Sequence, residues 1–353
     1  MKPVYLAGRG LACALGLTLG TSVASIGKSC AATSFYSLPG QPDIRFPYRV
    51  ISWDQGDWNE RACHLVRRVA HEAGAQHIRG GVLFIATSSF DIGAVEQGDA
   101  GMDYQAFADK VAGWLDWKGP IYLMNTACTS SLNAMIAAHA LLSMGELTDA
   151  LVLGVELDNQ LTLGGFAALQ LLSRHRSKPF GVDRDGLVLG EAVAALRLST
   201  RESSLWQMLG GANVVDGKQA TSASASAVMS MYQNALANSG LAAGAIDLIK
   251  VQAAGSPGND AIEAQGLRDM FQVIPPLVSL KMAIGHTMGA SGAAEVALLT
   301  ACLEQGVWPT YADAVDEALG VNLSSHQPDS VRRVMATILG FGGGHATVVL
   351  ERA

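Results

Sequence analysis

ACTSSLNAMIAAHALLSMG, residues 127–145, and GHTMGASGAAEVALLTACLEQG, residues 285–306, are two versions of one pattern. Each opens on a reactive type of residue, Cys128 in the first and His286 in the second. Each then continues as an alanine-rich helix with few charges and stops at a glycine. A helix with no polar face is buried on all sides. Two such helices in one chain suggest an internal duplication, with the pair side by side at the core of a pseudo-symmetric, doubly layered fold.

The flanking sequence supports an α/β class, because strand-like and helix-like stretches alternate throughout. In the first half, residues 59–73 read as helix and 81–88 (GVLFIATS) as a strand covered on both faces. Residues 104–115 read as helix, 121–124 and 151–155 as strands, and 187–198 as a hairpin-like pair. Residues 4–15 read as a buried first strand followed by a turn. The second half repeats the scheme: helices at 225–237, 260–270 and 289–304, extended stretches at 246–252 and 277–280. A closing strand pair, 335–339 and 346–350, flanks GFGGGH. The division expected is an N-terminal half over 1–200 carrying Cys128 and a C-terminal half over 201–353 carrying Lys281 and His286.

Bulk composition limits the function. Hydrophobic residues make up 49% of the 353 and charged residues 16%, so most of the chain packs. A net charge of −7 argues against a general nucleic-acid binder, which needs a basic footprint. Basic clusters at Arg67 and Arg68, at Arg174, His175, Arg176 and Lys178, and at Arg332 and Arg333 read as solvated faces. The alternative is that one of them meets an acidic partner. Cys13, Cys30, Cys63, Cys128 and Cys302 are scattered and never form a CxxC pair, which suits a reduced, cytoplasmic setting. Residues 1–29 loosely imitate a signal peptide, but Arg9, Gly10, Gly16 and Gly20 interrupt the apolar run. No membrane span is expected.

Three places carry chemistry. Cys128 stands between a short strand and the start of a long helix, where the helix dipole and unpaired N–H groups favour a thiolate; the plain alternative is one more buried cysteine. Lys281, His286 and Glu295 lie within SLKMAIGHTMGASGAAE, where a lysine and a carboxylate can fix a histidine tautomer; the alternative is a turn histidine. GFGGGH, residues 340–345, is a glycine turn whose N–H groups can face a ligand, a weak signal alone.

Together these stretches resemble the β-ketoacyl synthases of fatty-acid and polyketide assembly, which have a thiolase-like, layered α-β-α-β-α architecture. Five motifs carry the resemblance, in order: NTACTSS, GFAALQLLS (165–173), KPFGVDRDGLVLGEAVAALRL (178–198), SLKMAIGHTMGASGAAE and GFGGGH. The first 120 residues match loosely and are shorter than is usual in the family. The resemblance implies that Cys128 accepts the acyl group and that His286 assists decarboxylation and carbanion attack. Lys281 and Glu295 would support that histidine. The N–H groups of Cys128 and Phe341 would form an oxyanion hole, with Phe341 as gate. Phe166, Gly342, His345 and Ala254 would shape the pocket.

One departure weighs most. The family carries a second histidine in N-A-H-G-T, and this chain reads VQAAGSPGNDA, with Ala254 at that position and a shortened loop after it. Losing one such donor costs on the order of 10²–10³ in rate. His345, at the family's asparagine, is a candidate replacement, and Val182 is a smaller departure affecting packing. The expected role is therefore a chain-length-factor-like subunit, closest in kind to those of aryl-polyene pathways. It would pair as a heterodimer with an active ketosynthase, and meet an acyl carrier protein bearing a phosphopantetheine-linked acyl chain. An acyltransferase using Cys128 and His286 alone, and a scaffold without chemistry, are the alternatives. No metal or dissolved cofactor is expected.

Overall fold

The computed structural model describes residues 2–26, 33–53, 55–78, 80–100, 103–217, 223–311 and 313–353. Cys30 lies outside them. The first half runs β1 (Val4–Cys13), α1 (Leu19–Ile26), β2 (Thr33–Leu38), β3 (Gln41–Arg49), α2 (Trp58–Glu72), β4 (Val82–Ala86), α3 (Ile92–Glu96) and α4 (Tyr104–Trp114). It continues with β5 (Ile121–Met124), α5 (Ser130–Met144), β6 (Asp149–Glu156), α6 (Gln160–Ala168), β7 (Leu189–Gly190) and β8 (Ala192–Ser199). The second half runs β9 (Trp206–Val215), α7 (Ala225–Ser239), β10 (Leu248–Lys250), α8 (Pro257–Met270) and β11 (Leu277–Val278). It closes with α9 (Lys281–Ile284), α10 (Ser291–Gln305), β12 (Arg333–Leu339) and β13 (Gly344–Arg352).

Ten strands form one hydrogen-bonded sheet in the order β11-β10-β12-β13-β9-β1-β8-β6-β4-β5. The order reads alike from either end. In each half the three outer strands are parallel and the two inner ones antiparallel. Within this sheet the halves join where Val4 and Tyr5 of β1 pair with Met208 and Gln207 of β9. The duplication suggested by the two alanine-rich helices is thus a repeat of five strands.

Those two helices lie in the middle layer. Leu132, Met135 and Leu142 of α5 share one apolar cluster with Val296, Leu298 and Leu299 of α10, and with strand residues of both halves. Every residue of α10 from Ser291 to Leu303 is buried, which accounts for its small, mostly apolar residues on all sides, with Glu295 the one charged side chain among them. The approach is close: a Cβ on Gly292 would stand 2.5 Å from the Leu132 side chain and 2.9 Å from its backbone nitrogen. Outside the sheet, α2 and α4 cover the first half and α7 and α8 the second, giving the layered α-β-α-β-α order.

The structure departs locally from the sequence expectations. Residues 187–198 do not form a hairpin. Instead β8 joins the large sheet, and β7 pairs in parallel with β3 in a separate three-stranded sheet, β2-β3-β7. The glutamate between them explains the break. Glu191 turns into the core, where it accepts from the Ile51 and Asp158 N–H groups and pairs with Arg61 at 2.6 Å. The helix expected from residue 127 starts at Ser130, because Ala127 takes a left-handed φ of 52°. No helix of the described residues is long and apolar enough to cross a membrane.

Candidate active site

The left-handed turn at Ala127 sets Cys128 at the end of β5 and the mouth of α5. A non-glycine residue in this region is uncommon, and such turns gather at functional sites. The turn is braced locally: Ser130 Oγ donates to the Ala127 carbonyl at 2.6 Å and accepts from the Thr126 N–H at 2.9 Å. Asn133, one turn along α5, holds Thr126 Oγ1 at 2.8 Å. Cys128 itself is buried.

From the other half, the short α9 and the loop after it carry Lys281 and His286. The loop is pinned to β7, with the His286 N–H on Val188 O at 2.7 Å and the Gly190 N–H on His286 O at 3.0 Å. The imidazole Nε2 then lies 3.0 Å from Cys128 Sγ, and its Nδ1 lies 3.1 Å from Lys281 Nζ. Lys281 is bound by Glu295 Oε1 and stands 3.2 Å from Ser291 Oγ. An ammonium donates and does not accept, so Nδ1 is the acceptor and the ring proton sits on Nε2, facing the sulfur.

Electrostatics follow from burial. Burial pushes the Cys128 thiol up to about 11, while the Phe341 N–H, the Lys281 charge and its own N–H pull it back. Burial, then the charges of Lys281 and Lys250, hold the proton affinity of His286 well below the usual imidazole range. At neutral pH the site therefore rests as thiol and neutral imidazole. The N–H groups of Phe341 and Cys128 both lie close enough to the sulfur to favour its ionised form.

A cavity of about 270 Å³ opens onto the sulfur, lined by Ser88, Ala127, Cys128, Thr162, Gly165, Phe166, Leu169, Met288 and Phe341. Phe166 of α6 and Phe341, just after β12, face each other with ring centroids 5.3 Å apart. Three residues expected at the pocket do not line it. Gly342 is exposed at a φ of 78°. His345 is buried on β13, and neither ring nitrogen has a hydrogen-bond partner among the described residues. Alternation along β13 puts it on the same face as Val349, toward the outer helices; Ala346, Val348 and Leu350 face the central layer with Cys128.

Ala254 is the third. Its methyl group is buried in an apolar cluster with Met288, Leu163, Leu172 and Tyr48. The surrounding loop is held firmly. Glu263 accepts from the N–H groups of Gln252 and Ala253, both at 2.7 Å. Asp260 accepts from those of Ala254, Gly255 and Ser256 at 3.0–3.2 Å. The loop thus keeps a fixed shape while presenting a methyl group and no donor.

Sequence reasoning passed over two residues that shape the site. Lys250 of β10 reaches Glu295 Oε2 at 2.6 Å, and its signal was a lone lysine inside the apolar run DLIKV. Glu156 ends β6 fully buried and collects the Ser88 backbone N–H, the Ser88 and Ser89 hydroxyls and the Gly289 N–H. It ties the cavity wall at Ser88 to the loop that carries Met288. Its signal was a glutamate closing the otherwise apolar ALVLGVE.

The layered duplicate fold brings a cysteine at a strand-to-helix turn in the first half against a lysine-backed histidine from the second. The comparisons make the class specific. The N-terminal domain of β-ketoacyl synthases matches residues 91–204 and the C-terminal domain residues 208–314. The chain belongs to the β-ketoacyl synthase family. It is 29% identical over 290 residues to the highly reducing polyketide synthase alnA of Emericella nidulans, covering 72% of this chain and 12% of that protein. It is 27% identical over 261 residues to 3-oxoacyl-[acyl-carrier-protein] synthase 2 of Coxiella burnetii, covering 67% of this chain and 63% of that one. The chain thus spans less than two thirds of the length of these relatives. Among solved structures, the ketosynthase ApeO in complex with its chain length factor ApeC from Xenorhabdus doucetiae superposes with a TM-score of 0.85. That match has 23% identity and covers 100% of this chain and 98% of the other.

Proposed function

We propose that this chain is a ketosynthase-like chain-length-factor subunit, which pairs with an active β-ketoacyl synthase and shapes the tunnel that measures an acyl chain in polyketide- or polyene-type elongation. The observation that carries this reading is Ala254, buried among apolar side chains where the family has its second histidine. Decarboxylation of a malonyl unit builds negative charge on an oxygen, and a methyl group cannot stabilise it.

Pairing is supported by the edge of the sheet. β5 is the last strand in the order, and Tyr122 on it is 50% exposed. An open edge strand is a template for a second chain. The residues that follow it lead straight to Cys128, so a partner docked there would adjoin the cavity mouth. The phosphopantetheine-linked chain of an acyl carrier protein would then be drawn into the partner's site.

A second reading, an acyltransferase working with one histidine, has its own observation: the Cys128 and His286 pair is intact at 3.0 Å, backed by Lys281 and Glu295. Such an enzyme takes an acyl group from a thioester onto Cys128 by nucleophilic catalysis.

Intact-protein mass spectrometry separates the two. The chain is incubated with an acyl-carrier thioester, alone and with a co-expressed ketosynthase. The accessory reading expects the adduct on the ketosynthase and none here. A stable adduct on this chain, lost in Cys128→Ala, would establish the acyltransferase instead.

A further inference from the structure

Glu295 is shared by two lysines. Its Oε1 binds Lys281, and its Oε2 lies 2.6 Å from Lys250 Nζ. Lys250 comes from β10 and Lys281 from α9, and Lys250, Lys281 and Glu295 are all fully buried or within 1% of it. A buried ammonium costs several kcal/mol in desolvation, so a lysine on an interior strand calls for a compensating partner. Here the partner is a group already engaged by the residue that touches His286. The contacts run Lys250, Glu295, Lys281, His286, Cys128, and cross from the second half of the fold to the first.

The arrangement does two things. With both oxygens taken, the Glu295 carboxylate has one orientation, and Lys281 has one position against His286 Nδ1. Two ammoniums on one carboxylate also leave a positive charge behind the imidazole. The other carboxyl facing Lys250 is Glu263 on α8; burial raises its proton affinity and both its oxygens accept the Gln252 and Ala253 N–H groups, so Glu295 is the carboxylate that Lys250 binds. Asp260, also on α8, adjoins Glu263; Glu156, on β6, acts on the Cys128 side. The neighbouring strand positions Val278 on β11 and Ala336 on β12 are uncharged.

We propose that Lys250 is a positioning residue for the thiol site, which fixes Lys281 through Glu295 and keeps His286 in its neutral, Nε2–H form. In that form His286 donates a hydrogen bond to the sulfur or to an acyl oxygen, and does not take the thiol proton. The inference rests on the contacts behind Cys128 and is independent of whether a second subunit pairs with the chain.

The test is the pH profile of Cys128 alkylation by iodoacetamide, followed by peptide mass mapping on the full chain. In Lys250→Met the imidazole regains proton affinity, and the imidazolium–thiolate pair becomes accessible. Alkylation at pH 7 then rises about tenfold for each unit that His286 recovers, and the profile moves to lower pH. In a His286→Ala background the same substitution leaves the profile unmoved. A folded Lys250→Met whose profile superimposes on that of the unsubstituted chain overturns the proposal. Should Lys250→Met fail to fold, Lys250→Gln keeps a donor to Glu295 without the charge and is held to the same shift. ¹⁵N-histidine NMR gives a direct readout: a neutral Nε2–H ring at pH 6 in the unsubstituted chain that titrates at higher pH in Lys250→Met supports the proposal, and an imidazolium in the unsubstituted chain or an unmoved titration in Lys250→Met refutes it.

Discussion

Cys128 Sγ lies 3.0 Å from His286 Nε2 across 158 residues of sequence. The two are brought together because each stands at the start of one middle-layer helix, and those helices touch where Gly292 meets Leu132. The contact between helices and the contact between reactive groups are therefore consequences of the same packing.

That packing is sensitive to a single side chain. Gly292→Val places its Cβ against the backbone nitrogen of Leu132, where nothing yields cheaply. Overpacking of this kind costs about 1–3 kcal/mol. A lowered thermal midpoint in Gly292→Val, with slower loss of tertiary than secondary signal excluded by coincident melts, is the expected result.

The thiol has a predictable pH response. Burial holds the Cys128 proton up to about 11, so the thiolate fraction grows with pH throughout the neutral range. Alkylation should be slow at pH 7 compared with a free cysteine and should climb about tenfold per pH unit without levelling at pH 9. A plateau near pH 8, measured by mass mapping of the Cys128 peptide, contradicts this.

Asp260 gives a stability prediction of unusual sign. Burial raises its carboxyl to about 6 despite the N–H groups of Phe180, Ala254 and Gly255. The folded state therefore binds this proton more tightly than the unfolded chain. The stabilisation is fully present below the unfolded value near 4 and is lost as pH rises through about 6. Relative to Asp260→Asn, the unsubstituted chain should lose up to about 3 kcal/mol more between pH 4 and pH 7. Urea midpoints for the two proteins at those pH values provide the measurement.

Leu169 lines the cavity and is 55% exposed, so it marks the inner wall nearest the surface. If the chain measures acyl length, Leu169→Trp should shorten the products of the paired enzyme without abolishing turnover. Product length by liquid chromatography and mass spectrometry is the readout. An unchanged length distribution would favour the scaffold role.

Much of this architecture was legible in the sequence because burial leaves a plain signature. The alanine-rich helices, the apolar strands β4 and β6, and the motifs around Cys128, His286 and Phe341 all have local patterns set by their surroundings. The parts that escaped depend on distant contacts. Lys250 is read as an odd lysine until Glu295 arrives from α10. Residues 187–198 alternate like a hairpin, but Glu191 is drawn to Arg61 and splits the run between two sheets. His345 looked like a possible donor from its place in GFGGGH, and only the register of β13 fixes which face it occupies. The β2–β3 hairpin, in the region of weakest resemblance, carried no motif at all.

The open strand β5 has one more implication. Left bare, its outer row of amides and carbonyls, paired only with water, is a template on which a second strand can add, so a solitary copy of this chain is prone to self-association. Capping that edge with another strand would remove the template and the tendency to self-associate together.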